Sequence, residues 1–598
     1  MKRSNYPMRA NRVARRGAFW TVTRRPSVQG PTLAQKYGDG QRIRSQPFIR
    51  SVSPDVGEAA SQLPADVLTL ARAPFAVRML RNLSFGPTKA AIAEFQGLGS
   101  TDVQRLANWV DWQLDYTSID DSAVDARLSR GGYVALGKSL TQLWTDHVAP
   151  NPAWEVRMLP ALEMQRAAFV RATYSRRQLL EMTVDFWHDH FSVYGYDYSA
   201  GPVFPSFDRD VIRKNAFGNF RTMLEDVAKH PSMLYFLDNY SNTKAGQNEN
   251  WARELMELHT LGTEHYYGFQ DPSTLPRDPA DSTYPAGYTD IDVYEVAAAF
   301  TGWTLRDGNW QYPNENDGSF VYRAAWHDTN PKTILGKQYF PEQPDMKDGR
   351  DVLDRLASHP AVARHICAKI IRRFINDVPS QSLIWSAAQV FRDNWQAPDQ
   401  LTRVLRHILN STGMYNAWGN KTRKPFTAIV AAMRAGGSDW TLATTGDRSN
   451  EFAWRFGFTG HTPFGWPAPN GYPDITAPWS GSNSYGQTWR MLDWLTDTTD
   501  GSFPLIPVLA NTRADVAAGS WTANNLVDYW CNRLLGYILD ATRRQVLAKF
   551  LAQNGDPATY VITDTEAWSG TDLKKHYNQS RLKSMVSMIL LSPEFLSR

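Results

Sequence analysis

From about Pro74 onward, apolar residues return every three to four positions in stretch after stretch. Nowhere does this rhythm alternate with the short period-two runs that a parallel sheet requires. Val103, Leu106, Val110 and Leu114 fall on one helical face, and Ser100-Thr101 supplies an N-cap just before Asp102-Val103. The same period predicts helices at about 154–173, 176–193, 208–228, 248–261 and 290–303. It resumes at about 348–376, 381–394, 399–412, 423–436, 486–497, 521–553 and 570–591. The expected fold is all-α: a large multi-helix globular body with long irregular loops rich in aromatics, Gly and Pro, and at most a minor β-hairpin.

The rhythm fails in two internal places. Between Thr304 and Phe340 it is lost, with Asp307–Arg323 rich in Gly, Asn, Pro and aromatics. Residues 456–485 carry Gly465-Trp466-Pro467 and Pro469-Asn470-Gly471-Tyr472-Pro473. Loops this long usually serve as lids, binding elements or insertions. The chain has 22 Trp, 25 Tyr and 27 Phe, which calls for either a heavily aromatic core or aromatic grooves. Residues 1–50 show no apolar period and hold about twelve Lys and Arg against the single acid Asp39, so the net charge of +4 hides a mildly acidic body. They are expected to form a basic, extended or disordered arm, either a solvated tail or a contact for an acidic partner or an anionic surface. Residues 51–340 are expected as a helical core holding the polar motifs, and 341–598 as a helical part packed on the same body. A nucleic-acid enzyme is not implied.

Several chemistries are excluded by reading. There is no G-x-x-x-x-G-K-[ST] phosphate loop, no G-x-G-x-x-G after a strand, no H-E-x-x-H, no G-x-S-x-G and no C-x-x-C. Cys367 and Cys531 match no metal or redox spacing. No stretch is apolar over the length needed to span a bilayer. The opening residues have paired arginines but no apolar signal core, so no clear export signal is expected.

Polar residues crowd in four places. In Asp185-Phe186-Trp187-His188-Asp189-His190, a helix turns Asp185, His188 and Asp189 to one side and His190 with Phe186 to the other. Asp185 and His188 suit a divalent metal, in the way helical bundles build carboxylate sites; the plainer reading is that Asp185 orients His188. In Asn248–His259, Asn250, Glu254 and Glu257 share a face, while Ala252, Leu255 and His259 share an apolar one. Glu254 and Glu257 are candidates for a shared ligand or proton, with Arg253 in reach of Glu249 and Glu257 as the structural alternative. His259 is expected to be a satisfied core histidine. Asp290, Asp292 and Glu295 open a helix and fit its dipole. His327, Asp328 and Lys332 sit in a loop and are candidate catalytic residues, His327 as base and Lys332 as charge clamp, with loop decoration as the alternative.

These blocks carry a resemblance. Arg78-Met79-Leu80-Arg81-Asn82-Leu83-Ser84-Phe85-Gly86-Pro87-Thr88, Phe186–Ser192, Asn215–Phe220 before Lys229–Leu234, Asn248–Gly262, Val296–Trp303, His327–Gly336 and Ser592–Phe595 stand in order. Together they resemble the bacterial family called domain of unknown function 1800. The resemblance implies a helical protein, often exported and commonly encoded beside a partner resembling alkaline phosphatases; it implies no activity.

Three readings are therefore carried forward. One is a metal-dependent enzyme, hydrolytic or oxidative, holding a divalent ion of unknown identity between Asp185 and His188 on one helix and Glu254 and Glu257 on another. The second is a non-catalytic scaffold or partner-binding protein. The third is a polymer- or glycan-binding protein, for which loop 456–485 should line an open groove.

Overall fold

A computed structural model describes residues 70–497, 504–553, 555–563 and 578–598. The arm expected at 1–50 lies outside the described residues, as does the start of the helix expected from 570. Leu70–Arg598 form one compact unit, and no helix in the described residues is long and apolar enough to cross a membrane. The helices that position the site are α1 (Phe75–Leu83), α2 (Asp102–Leu114), α3 (Leu159–Tyr174), α4 (Gln178–Phe191), α5 (Asn250–Glu257), α6 (Asp290–Ala299), α7 (Pro360–Phe374) and α8 (Pro425–Gly436).

α8 reads Pro-Phe-Thr-Ala-Ile-Val-Ala-Ala-Met-Arg-Ala-Gly and is apolar nearly all round, so it is buried on every side but Arg434. Its Phe426 meets Phe169 of α3 edge-on at 4.8 Å and Phe85 at 5.5 Å. Phe169 in turn meets Phe456 at 4.7 Å. Such edge-to-face contacts add to the area each ring buries, so truncating Phe169 to Ala is expected to cost about 3–5 kcal/mol. α1 closes the body by another device. Arg78 donates to the carbonyls of Tyr415 and Ala417 at 3.0 and 3.2 Å, and Arg81 donates to the Leu535 carbonyl at 3.0 Å. Two buried guanidiniums thus satisfy main-chain oxygens that helix ends leave open, and burial pushes Arg81 down to about 10.

Several boundaries differ from the sequence reading. The Thr101 cap is present, as a capping box with Gln104, but Val103 points outward at 64% exposure. The single helix expected at 208–228 is a π-helical stretch Phe207–Arg213 and a separate helix Phe220–Lys229, whose Asn219 cap accepts from the Thr222 amide. The one expected at 348–376 breaks at His359-Pro360, because proline cannot continue a helix but can start one. The one at 521–553 breaks at Gly536, which adopts φ +82°. Instead of at most one hairpin, the described residues hold three two-stranded antiparallel ribbons. β1 (Arg277–Asp278) pairs β2 (Asp281–Pro285), β3 (Trp303–Asp307) pairs β4 (Asn316–Tyr322), and β5 (Lys332–Ile334) pairs β6 (Lys337–Tyr339). Two of them occupy the 304–340 stretch, where alternation was too short to register. Cys367 and Cys531 are both free and buried.

Candidate functional site

α4 is buried on most sides, yet its last turns carry two acids four residues apart. That spacing puts Asp185 and Asp189 on one face, and both side chains retain a little exposure, 24% and 20%. The helix ends at Ser192, which turns left-handed at φ +34°. Beyond it, the irregular segment 456–485 folds back over this end. The Ser192 hydroxyl donates to the Ala468 carbonyl at 2.9 Å, and the Gly195 amide donates to the Phe464 carbonyl at 2.9 Å. Gly471 sits so close that a Cβ there would lie 1.9 Å from the Asp189 carbonyl oxygen, and its φ is +72°. Only glycine meets both demands. The result is a narrow cleft with a cavity volume of about 40 Å³, with Asp185, His188 and Asp189 along its floor and Phe464, Trp466 and Tyr472 at its rim.

The aromatic rim is itself pinned. Trp466 Nε1 donates to Asn470 at 2.7 Å, and the Tyr472 hydroxyl donates to the Thr462 carbonyl at 2.8 Å. His461 stands edge-on to Tyr472 at 4.5 Å and accepts the Phe426 amide at the start of α8.

Behind the acids lie buried cations. Asp185 pairs with Arg373 of α7, whose side chain is fully buried. Asp189 pairs with Lys424 at 2.7 Å. Asp474, from the loop, stands 3.6 Å from Arg373 and 3.8 Å from Lys424. The carboxyls respond differently. Burial works to raise Asp474, but Lys424, Arg373, Lys421 and Arg598 hold it far below the carboxylate range. Asp189 goes the other way. Burial pushes it up to about 6, with Lys424 opposing and Asp185 adding repulsion. Asp189 thus gives up its proton less readily than an ordinary aspartate.

His188 faces this floor but is committed elsewhere. Its Nε2 lies 2.9 Å from Asp208, which Arg171 and Arg213 also hold at 3.2 and 2.7 Å. Arg213 grips Glu181 with both terminal nitrogens at 2.8 and 2.9 Å. Burial disfavours the Asp208 charge, yet Arg213, His188 and Arg171 keep it ionised well below the usual range. The partner that orients His188 is therefore Asp208, not Asp185.

The second block stands on α5. Glu254 and Glu257 are half-buried; burial and the neighbouring Glu257 push Glu254 up to about 7. Arg253, expected to reach Glu249 or Glu257, bridges to Asp290 of α6 at 3.0 Å instead. Asp290 also takes the Tyr266 hydroxyl. Among the described residues no hydrogen bond or ion pair joins Glu254 or Glu257 to Asp185 or His188. The two blocks meet through their apolar faces, where His190 Nε2 lies 3.1 Å from the His259 carbonyl. Among the described residues no three His, Cys, Asp or Glu side chains form a group that could hold a metal ion.

The third block works as expected: Asp292 completes a capping box with Thr289 and also accepts the Leu335 amide at 2.8 Å. In the fourth, Lys332 is 1% exposed along its side chain and donates to the Asp328 and Asn330 carbonyls and to Asp348 at 2.7, 2.9 and 2.8 Å. His327 lies between the Thr301 carbonyl at 2.9 Å and Asp348 at 3.3 Å. The Asp328 amide donates to the Thr301 hydroxyl at 2.8 Å, and its carboxylate takes the Asn330 amide at 2.9 Å. The cleft is lined by none of the three. Sequence reading named loop 456–485 as a groove wall but missed Arg373, Lys424 and Asp474 as members of a site. The signal within reach was the loop's density of Trp, Gly and Pro.

Fold and site together define a large all-α protein with an aromatic-rimmed, acid-floored cleft at the end of a buried helix. The chain belongs to the family described as protein of unknown function (DUF1800), whose model matches residues 78–597. No curated protein and no solved structure matches it.

Proposed function

We propose that this cleft binds a ring-bearing polyol of the carbohydrate class, with Asp189 as the group that exchanges hydrogen bonds and protons with it. The carrying observation is the placement of the Asp189 carboxyl, ion-paired to Lys424 on the cleft floor, beneath a rim of Phe464, Trp466 and Tyr472. Aromatic faces offer a sugar ring an apolar platform, and carboxylates accept strong hydrogen bonds from hydroxyls. A pocket with apolar walls and a few fixed polar groups is the usual form of a small-ligand site. Arg373 and Lys424 hold the carboxylates in place, so little ordering is left for the moment of binding.

Calorimetric titration of the full chain with cello-, chito- and malto-oligosaccharides tests the reading. One series is expected to bind, with Trp466→Ala weakening it at least about tenfold, the loss of one stacking contact of roughly 1–2 kcal/mol. Absence of binding in all three series, or binding indifferent to Trp466, defeats it.

A further inference from the structure

A second cleft, with a cavity volume of about 390 Å³, opens where α1, α2 and α8 meet the helix Lys89–Gly97. It shares no lining residue with the Asp189 cleft. Its size is that of a small-molecule site. Trp109 and Trp112 of α2, three residues apart and so on neighbouring positions of one face, line it with indole surface.

The start of helix Lys89–Gly97 lines it too, through Thr88, Ala90 and Ala91. Thr88 caps this helix: its hydroxyl oxygen accepts the Ala91 amide at 3.1 Å and its carbonyl accepts the Ile92 amide at 2.9 Å. The Lys89 and Ala90 amides find no acceptor among the described residues, and the first turn holds no acid. Free amides and the positive end of the helix dipole favour an anion.

Arg434 of α8 brings an independent donor to the same cleft. Its Nε donates to the Gly86 carbonyl at 3.0 Å, and its Nη1 to the carbonyls of Thr173 and Ala172 at 2.7 and 3.5 Å. Gly86 lies two residues before the Thr88 cap, so the guanidinium stands beside the helix start. Among the described residues nothing accepts from Nη2, and no carboxylate pairs with Arg434. Burial, offset by no acid, pushes it down to about 10, which leaves it charged at neutral pH. An enclosed charge ordinarily has a counter-charge. The other charged groups lining the cleft, Arg176 and Glu94, pair with each other at 2.8 Å and are largely exposed. They cancel, and the cleft stays positive.

We infer that this cleft binds a small molecule carrying an oxyanion on a flat apolar body. The oxyanion sits between Arg434 Nη2 and the Lys89 and Ala90 amides, with the ring against Trp109 and Trp112. Carboxylate and phosphate share this chemistry, since a guanidinium recognises both.

Calorimetric titration of the full chain with four probes tests it: benzoate, phenyl phosphate, inorganic phosphate and benzyl alcohol. At least one of the first two is expected to bind one per chain, at least about tenfold tighter than either of the last two. Which of the two binds tells carboxylate from phosphate. Ala90→Glu places an acid at the exposed first turn, where the helix dipole favours it and the fold tolerates it. It should weaken the binding at least about tenfold. Gln96→Glu, exposed on the same helix but outside the cleft, and Trp466→Ala, in the other cleft, should leave it unchanged. The wild-type series decides the matter even if a variant misfolds. No binding of either ring-bearing anion, equal binding of benzyl alcohol or inorganic phosphate, or indifference of folded Ala90→Glu overturns the site.

Discussion

Gly471 ties the loop to the helix by a contact that no side chain can share. Its φ of +72° disfavours any L-residue, and a Cβ would overlap the Asp189 carbonyl oxygen. Gly471→Ala is therefore expected to destabilise the protein by about 2 kcal/mol or more, measured by urea unfolding, and to lift the aromatic rim from the floor. An unchanged midpoint would mean that the loop does not rest on α4. Asp189, one residue from His190 on the opposite face, shows how far the residue scale could be read in advance. The four-residue spacing announced that Asp185 and Asp189 face one way. It did not announce Arg373 or Lys424, which come from helices 188 and 235 positions away in sequence. His259 was expected to be satisfied, because its face pattern is that of a core residue. It is in the core, and its ring nitrogens are the unsatisfied ones.

At the scale of elements, helix interiors were legible and helix breaks were not. α7 and the helix before it share an apolar rhythm that runs straight through His359-Pro360, so periodicity alone fused them. The break has a specific chemistry that recurs once. His230-Pro231 and His359-Pro360 each use the imidazole Nδ1 to accept the amide two residues on, from Ser232 at 3.2 Å and Ala361 at 3.1 Å. To accept, Nδ1 must be unprotonated, in keeping with burial pushing both rings down to about 3. His359→Ala is expected to cost about 1 kcal/mol, as the loss of a helix cap does, read as a shift in urea midpoint. The same substitution at His407, half-buried and capping no helix, should cost clearly less. The ribbons in 304–340 escaped notice for another reason: strands of three to seven residues are too short to establish a period against their Gly- and Asn-rich turns.

For the whole molecule, buried imidazoles set the response to acid. Burial lowers His190, His230, His259, His359 and His461, while each would titrate near 6.5 in the unfolded chain. A base whose folded pKa is depressed contributes stability that is present above about 6.5 and is lost as pH falls below it. Asp189 and Glu254, raised to about 6 and about 7, work in the opposite sense, but the five imidazoles outweigh them. Between pH 7.5 and 5.5 the unfolding free energy should fall by at least about 3 kcal/mol. Urea unfolding across that window checks it, and a flat profile would refute it. At this scale the all-α body was readable from periodicity. The cleft was not, because it is built where a loop without period lies across a helix end.

The central claim is that Asp189 meets the ligand. Its affinity for the oligosaccharide that binds, followed by calorimetry from pH 5 to 7.5, tests this most directly. In wild type, affinity should rise through an inflection near pH 6, as the carboxyl ionises and becomes the stronger acceptor. In Asp189→Asn the inflection should vanish. An identical profile in both proteins would contradict the account.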